Sequence, residues 1–184
     1  MGQAFKNRLA IGILAFWLAS VALAFWWFQA RLIQPFTEDF APFTELATSP
    51  TPLVENNSDG ITVVQLVDEA CYCSRVNQDH RDRIRQRYAG SPVVFIEAQA
   101  GQEMPASLAQ HLPQALEQTK SPAALVINKH GRLEYFGPYS FGAGCFTGTG
   151  TYVERAIDRA LANESHPQVN VLGTGCFCDW RIIT

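Results

Sequence analysis

The sequence predicts an α/β domain, three layers built on a mixed sheet, preceded by one N-terminal transmembrane helix. Three observations predict it. Leu9 to Phe28 is an uncharged apolar run, residues 61–163 carry strand and helix patterns in the order β-α-β-α-β-β-α, and Ile61 to Val67 (ITVVQLV) is a β-branched strand signal. Helices alternating with strands cover both faces of a sheet. The chain has 184 residues, room for one domain plus extensions. Its 47% hydrophobic and 17% charged residues fit a globular core plus one greasy segment. The net charge of -3 supplies no basic surface, which argues against nucleic acid as a partner.

The apolar run is about twenty residues long, and at roughly 1.5 Å per residue it covers a hydrocarbon core of about 30 Å. It has no polar stripe, unlike the core helix of a soluble protein. Lys6, Arg8 and the terminal amine precede it, while Arg31, Glu38 and Asp39 follow. That bias predicts a single-pass protein of the bacterial inner membrane. Residues 1–8 would be cytoplasmic, 9–29 the transmembrane helix, and the C-terminal domain periplasmic. Trp26, Trp27 and Phe28 would anchor the outer interface. The competing reading is a cleaved signal peptide ending near Ala22-Leu23-Ala24. Bulky Phe25-Trp26-Trp27 and the extra apolar length favour an uncleaved anchor. Both readings deliver residues 31–184 to the same compartment.

Residues 30–60 read as a stalk. Pro35, Pro42, Pro50 and Pro52 break regular structure, Asn56 to Gly60 is turn chemistry, and a short helix is expected over Thr37 to Leu46. The domain spans 61–163. After the first strand, Cys73 to Tyr88 is expected as a helix with Val76, His80, Ile84 and Tyr88 on one stripe; His80 is a packed core histidine. Arg75, Arg81, Arg83, Arg85 and Arg87, interleaved with Asp79 and Asp82, read as its solvated face. A second strand covers Pro92 to Glu97, and a weak helix Pro105 to Gln118. Ala123 to Asn128 and Leu133 to Phe136 predict a hairpin around Lys129-His130-Gly131-Arg132. His111, His130 and His166 read as surface residues. Gly142, Gly144, Gly148 and Gly150 lack a P-loop lysine and predict a turned loop rather than a phosphate cradle. Thr149 to Asn163 is an amphipathic helix, with Tyr152, Val153, Ala156, Ile157, Ala160 and Leu161 on one face. Residues 164–184 form a cysteine-containing tail.

This order, with a cysteine pair between first strand and first helix, resembles the thioredoxin-like superfamily. The segment Ser121-Pro122-Ala-Ala-Leu-Val-Ile-Asn-Lys-His-Gly-Arg132 is similar to that family's proline, strand and hairpin turn. The resemblance covers roughly residues 61–163 and implies a cis-proline at Pro122, facing the cysteines and shaping a substrate groove. The whole chain also resembles an uncharacterised membrane-anchored thioredoxin-like family of Gram-negative bacteria, a domain of unknown function, which supplies no activity. The departures are specific. Ala70-Cys71-Tyr72-Cys73 is one residue shorter than Trp-Cys-x-x-Cys, the first strand carries no acidic residue, and the insertion with Cys145 and the tail lie outside the minimal fold.

Five cysteines outside the cytoplasm sit where disulfides persist. Cys71 and Cys73 at a helix N-terminus favour the thiolate, while Asp68 and Glu69 oppose it. A bridge across one intervening residue closes a strained ring suited to exchange. In that reading Cys71 is the more exposed attacking thiol and Cys73 the resolving one. Topology predicts that the 137–150 loop brings Cys145 to the same pole. If Gln168 to Leu172 runs back as a strand, Cys176 and Cys178 return there too. The leading function is thiol–disulfide exchange with a protein partner, with no resident cofactor. The alternatives are copper or zinc held by the same cysteines, and a redox-inert interaction domain stapled by disulfides.

Overall fold

In the computed structural model, residues 2–28, 33–37, 39, 43, 52–53, 60–102, 119–139 and 152–180 are described. The expected helix over 105–118, His111, the glycine-rich loop and Cys145 lie outside these residues, as does most of the segment from Thr37 to Leu46. Helix α1, Gln3–Phe28, has a mean hydropathy of 2.2 over its apolar window and no buried residue. It is long and apolar enough to cross a membrane.

The domain is built on a five-stranded sheet. Its strands are β2 (Ile61–Val67), β3 (Val93–Gln99), β5 (Ala123–Ile127), β6 (Leu133–Pro138) and β7 (Gln168–Val169), in the order β3-β2-β5-β6-β7. β2 runs parallel to β3 and antiparallel to β5, β5 is antiparallel to β6, and β6 is parallel to β7. Four of these strands have the topology that the thioredoxin-like resemblance implies. The Ser121–Pro122 peptide bond is cis, as that resemblance also implies. The hairpin between β5 and β6 turns at the expected place, where Gly131 has a φ of 75° that favours glycine.

The predicted helix from Cys73 to Tyr88 is divided. Helix α2 is Tyr72–Val76 and α3 is Gln78–Arg87, meeting at Asn77 with φ -81° and ψ -1°. Asn77 donates its side-chain amide to the Cys73 carbonyl at 2.9 Å, the local competition with the helix ladder that asparagine brings. Helix α4, Tyr152–Leu161, turns Val153, Ala156 and Ile157 into the core. Alternation along β2 divides that core: Ile61 and Val63 pack with Ile84, Tyr88 and α4, while Val64 and Leu66 pack with Phe36, Phe43, Phe177 and Trp180.

The stalk expectation needs correction at these points. Phe36 and Phe43 are 0% exposed and pack on Phe136, Phe36 edge-on and Phe43 stacked. Strand β1, Ile33–Pro35, pairs antiparallel with β8, Thr174–Cys176, in the tail. The tail also contributes β9, Cys178–Asp179, which pairs antiparallel with β4, Lys120–Ser121. Residues 30–60 read as a stalk because proline and turn residues dominate their composition. Their few aromatic side chains nevertheless close one face of the sheet.

Candidate functional site

β2 ends at the pole where β5 begins, and the turn from Asp68 to Cys71 leads from it into α2. Asp68 fixes that turn: its Oδ1 accepts from the Ala70 N–H at 2.9 Å, and its carbonyl accepts from the Cys71 N–H at 3.0 Å. Cys71 is the N-cap of α2 in extended geometry, φ -77° and ψ 122°. Its Sγ lies 4.0 Å from the Ser121 carbonyl oxygen, beside the cis peptide. Ser121 and Ser74 share a hydroxyl–hydroxyl hydrogen bond, and the Asp68 N–H donates to Ser121 Oγ at 3.0 Å. These contacts tie the Pro122 loop to the cysteine helix.

β7 runs back toward this pole and the tail follows it, so Cys176 and Cys178 return as the topology predicts. Cys71 is bridged to Cys178, and Cys73 to Cys176. The tight ring between Cys71 and Cys73 is therefore not formed. Each sulfur is bonded to a different position of the tail instead. Cys71 is 3% and Cys73 0% exposed, so Cys71 is the more exposed of the two only in a nominal sense. Cys176 is 7% exposed, and Cys178 alone of the four is partly exposed. The Sγ atoms of Cys71, Cys73 and Cys178 all lie within 4.8 Å of one another.

The tail is seated by its own side chains. Trp180, 1% exposed, donates its indole N–H to the Val67 carbonyl at 3.2 Å, at the end of β2. Its backbone N–H donates to the Thr119 carbonyl at 3.1 Å. Lys120 Nζ meets Asp179 at 2.8 Å and Gln34 Oε1 at 3.1 Å, and Gln34 Nε2 donates to the Phe177 carbonyl at 2.6 Å. Strand β1, the tail and the Pro122 loop thus converge on one set of contacts. The signal that could have found this was Trp180 itself, a large aromatic two residues after a cysteine.

Beneath α3, Gln65 of β2 is fully buried. Its amide donates to the Tyr139 hydroxyl at 2.6 Å, and its Oε1 accepts from Arg85 at 2.6 Å. Arg81, read as a surface residue, is 6% exposed and donates to the Ser74 carbonyl at 2.7 Å. Burial lowers its pKa, with Glu97 opposing. A cleft of about 410 Å³ beside Ser74 is lined by Arg75, Arg81 and Arg85 against Glu69, Asp82 and Glu97, so its charges balance. His80 is 2% exposed and edge-on to Tyr139, a packed core histidine as its stripe position predicts. Burial pulls its pKa down; Glu154 raises it and Arg83 lowers it further. His130 and His166 are exposed.

A family model described as Domain of unknown function (DUF6436) matches residues 41–180. No curated protein matches the chain. Among solved structures, an uncharacterized conserved protein from Geobacillus kaustophilus is similar at 15% identity and a TM-score of 0.50, over 71% of this chain and 86% of that one. A hypothetical protein from Sinorhizobium meliloti 1021 is similar at 13% identity and a TM-score of 0.49, over 70% and 83%. A thioredoxin-like protein solved in its oxidized form is similar at 16% identity and a TM-score of 0.41, over 72% and 97%.

Proposed function

The chain belongs to the family Domain of unknown function (DUF6436), which brings no activity with it, and from its paired cysteines we propose a membrane-anchored periplasmic thiol–disulfide exchange protein. One observation carries the proposal. Two bridges lie side by side next to Pro122, and only one of their sulfurs, Cys178 Sγ, belongs to a partly exposed residue.

Exchange then starts at Cys178. A partner thiolate attacks Cys178 Sγ; a partner–Cys178 bond forms, the Cys71–Cys178 bond breaks, and the electron pair leaves on Cys71 Sγ. Cys71 is the better leaving group because it caps α2, where unpaired backbone N–H groups and the helix dipole favour a thiolate. A second partner thiolate attacks the partner sulfur of the mixed disulfide and releases the Cys178 thiolate. The partner dithiol is oxidised by two electrons, Cys71 and Cys178 receive them, and the two protons pass from the partner thiols to these sulfurs. The reverse sequence reduces a partner disulfide. Cys73, bridged to Cys176, lies within reach to accept the exchange onward, and Pro122 holds the Ser121 carbonyl against Cys71.

Trapping tests the roles. In a Cys145→Ser background, Cys71→Ser leaves Cys178 free to attack a partner disulfide but removes the thiol that would resolve it, so mixed disulfides accumulate. Cys178→Ser leaves only buried Cys71 and should trap none. Equal absence of adducts from both variants would leave the bridges as staples of an interaction domain. For the compartment, a reporter fused after residue 40 should be active only outside the cytoplasm.

The three sulfurs within 4.8 Å also favour a second reading. Once reduced, Cys71, Cys73 and Cys178 offer a thiolate set suited to Cu(I) or Zn(II). Native mass spectrometry of the reduced chain with Cu(I) decides it: one retained ion, lost in both Cys71→Ser and Cys178→Ser, would make metal delivery the function.

A further inference from the structure

The path from the end of α1 to the cysteine pole is short. β1 starts at Ile33, five residues after Phe28 ends α1, and five residues span at most about 18 Å. Ile33 stands opposite Cys176 in the β1–β8 ladder, where antiparallel partners lie about 5 Å apart. The Cα of Cys176 is 5.9 Å from that of Cys73. Even fully stretched, the chain holds the bridges within roughly 30 Å of the end of α1. The opposite pole, with the Lys129–Arg132 turn, lies roughly 20 Å further along the strands, at about 3.3 Å per residue.

With α1 read as spanning the membrane, we infer that the bridges face the bilayer and that the exchange partner is an integral membrane protein presenting a cysteine pair at the outer headgroup layer. This rests on the exchange reading above for the partner's chemistry, while the placement rests on the chain path alone. Confinement to one bilayer raises the effective concentration of a co-resident thiol pair without any added contact. The short tether supplies that confinement and limits the pole's reach into the surrounding solution. Tyr72 and Val76, one turn apart on α2 beside the bridges, are 44% and 38% exposed and give that partner an apolar edge to meet.

Two measurements on the full chain separate placement from chemistry. In nanodiscs containing headgroup spin-labelled lipid, a fluorescent amino acid replacing Glu69 should be quenched several-fold more than one replacing His130 at the far turn. Equal quenching, or stronger quenching at His130, overturns the placement whether or not the protein exchanges disulfides. Next, a fifteen-residue Gly-Ser spacer is inserted between Phe28 and Ile33 in the Cys71→Ser trap. Adducts with membrane-fraction proteins should fall at least several-fold, while the wild-type chain with the same spacer should keep its exchange rate with a small soluble dithiol. Adducts unchanged by the spacer, or found with soluble proteins, overturn the partner. Loss of exchange with the small dithiol in the unmodified chain sinks the exchange reading instead, and the quenching pair still judges the placement.

Discussion

The two faces of the sheet are closed in different ways. On one, α3 and α4 bring Ile84, Tyr88, Val153, Ala156 and Ile157 onto Ile61, Val63, Ala124 and Val126. On the other, Phe36, Phe43 and Leu53 from before the domain, and Phe177 and Trp180 from after it, cover Val64, Leu66, Leu125 and Phe136. The first face is closed by helices whose 3.6-residue pattern specifies the contact locally. The second depends, among the described residues, on chain ends with little regular structure. Such ends stay ordered only when tied down. The two bridges provide that tie, so the cysteines that would do the chemistry also hold one half of the core closed.

The largest break in this comparison is removal of both bridges. They close loops of 107 and 103 residues in sequence separation, and opening a loop near 100 residues costs about 4–5 kcal/mol in chain entropy. The two losses should not add. With one bridge intact, the other closes only the short ring between adjacent cysteines, a contribution of about 1–2 kcal/mol. Denaturant unfolding in a Cys145→Ser background should therefore show a small drop for Cys73→Ser/Cys176→Ser, and a large one only for the quadruple variant. A large loss from that single bridge would mean that the remaining bridge does not by itself hold the tail in place.

Trp180→Ala should cost about 3–5 kcal/mol, since it empties a fully buried site and leaves the Val67 carbonyl without its indole donor. Ile157→Ala on the helical face should cost about 2–5 kcal/mol, toward the lower half because α4 can settle into the space. Both read out in urea. A Trp180 variant cheaper than the Ile157 variant would show the tail to be an ornament on a core complete without it.

How much of this was legible follows the same division. The strand Ile61 to Val67, the α4 stripe and the Lys129–Arg132 turn carry their periodicity or turn chemistry within a few residues, and the structure has them where expected. Ser121-Pro122 marked the cysteine pole by resemblance. The pairing of Cys71 with Cys178 was not legible, because five cysteines permit many connectivities and spacing ranks none of them. Arg81 was misplaced for a related reason. Its neighbours Asp79 and Asp82 gave it a solvated pattern, and only the break at Asn77 turns it inward to the Ser74 carbonyl. The last turn of α3 was legible as charged, but not as the partner of Gln65 and Glu97 across the sheet edge.

A smaller effect tests the helical face alone. His80 is buried with its Nε2 lacking a partner among the described residues, and burial depresses its pKa. The folded state binds that proton less readily than the unfolded chain. Stability from this group is therefore complete above its ordinary value of 6.5 and is lost as pH falls below it. Glu154, close enough to favour the charged form, softens the slope and Arg83 steepens it. Unfolding midpoints should decline between pH 7 and pH 5, and His80→Asn should flatten that decline. A slope unchanged by the substitution would assign it to the carboxylates.

The smallest expected effect lies at the tail, on the ion pair between Lys120 and Asp179. The contact is 2.8 Å, but the Asp179 side chain is 64% exposed, so solvent screens it. Exposed pairs contribute roughly 0.2–1 kcal/mol, and Asp179→Asn should fall in that range and vanish in high salt. The pair on the helical face, Arg87 with Asp158, sets the scale. Its side chains are 50% and 48% exposed and meet at 3.1 Å, yet Asp158 also accepts from the Tyr88 hydroxyl at 2.7 Å. Asp158→Asn should therefore cost more than Asp179→Asn and retain part of its cost in salt. If Asp179→Asn proves the costlier change, the two-residue ladder between β4 and β9 is held by charge rather than by Trp180 and the bridges. Opening of the Cys71–Cys178 bridge would then depend on ionic strength, which thiol-trapping rates at low and high salt measure directly.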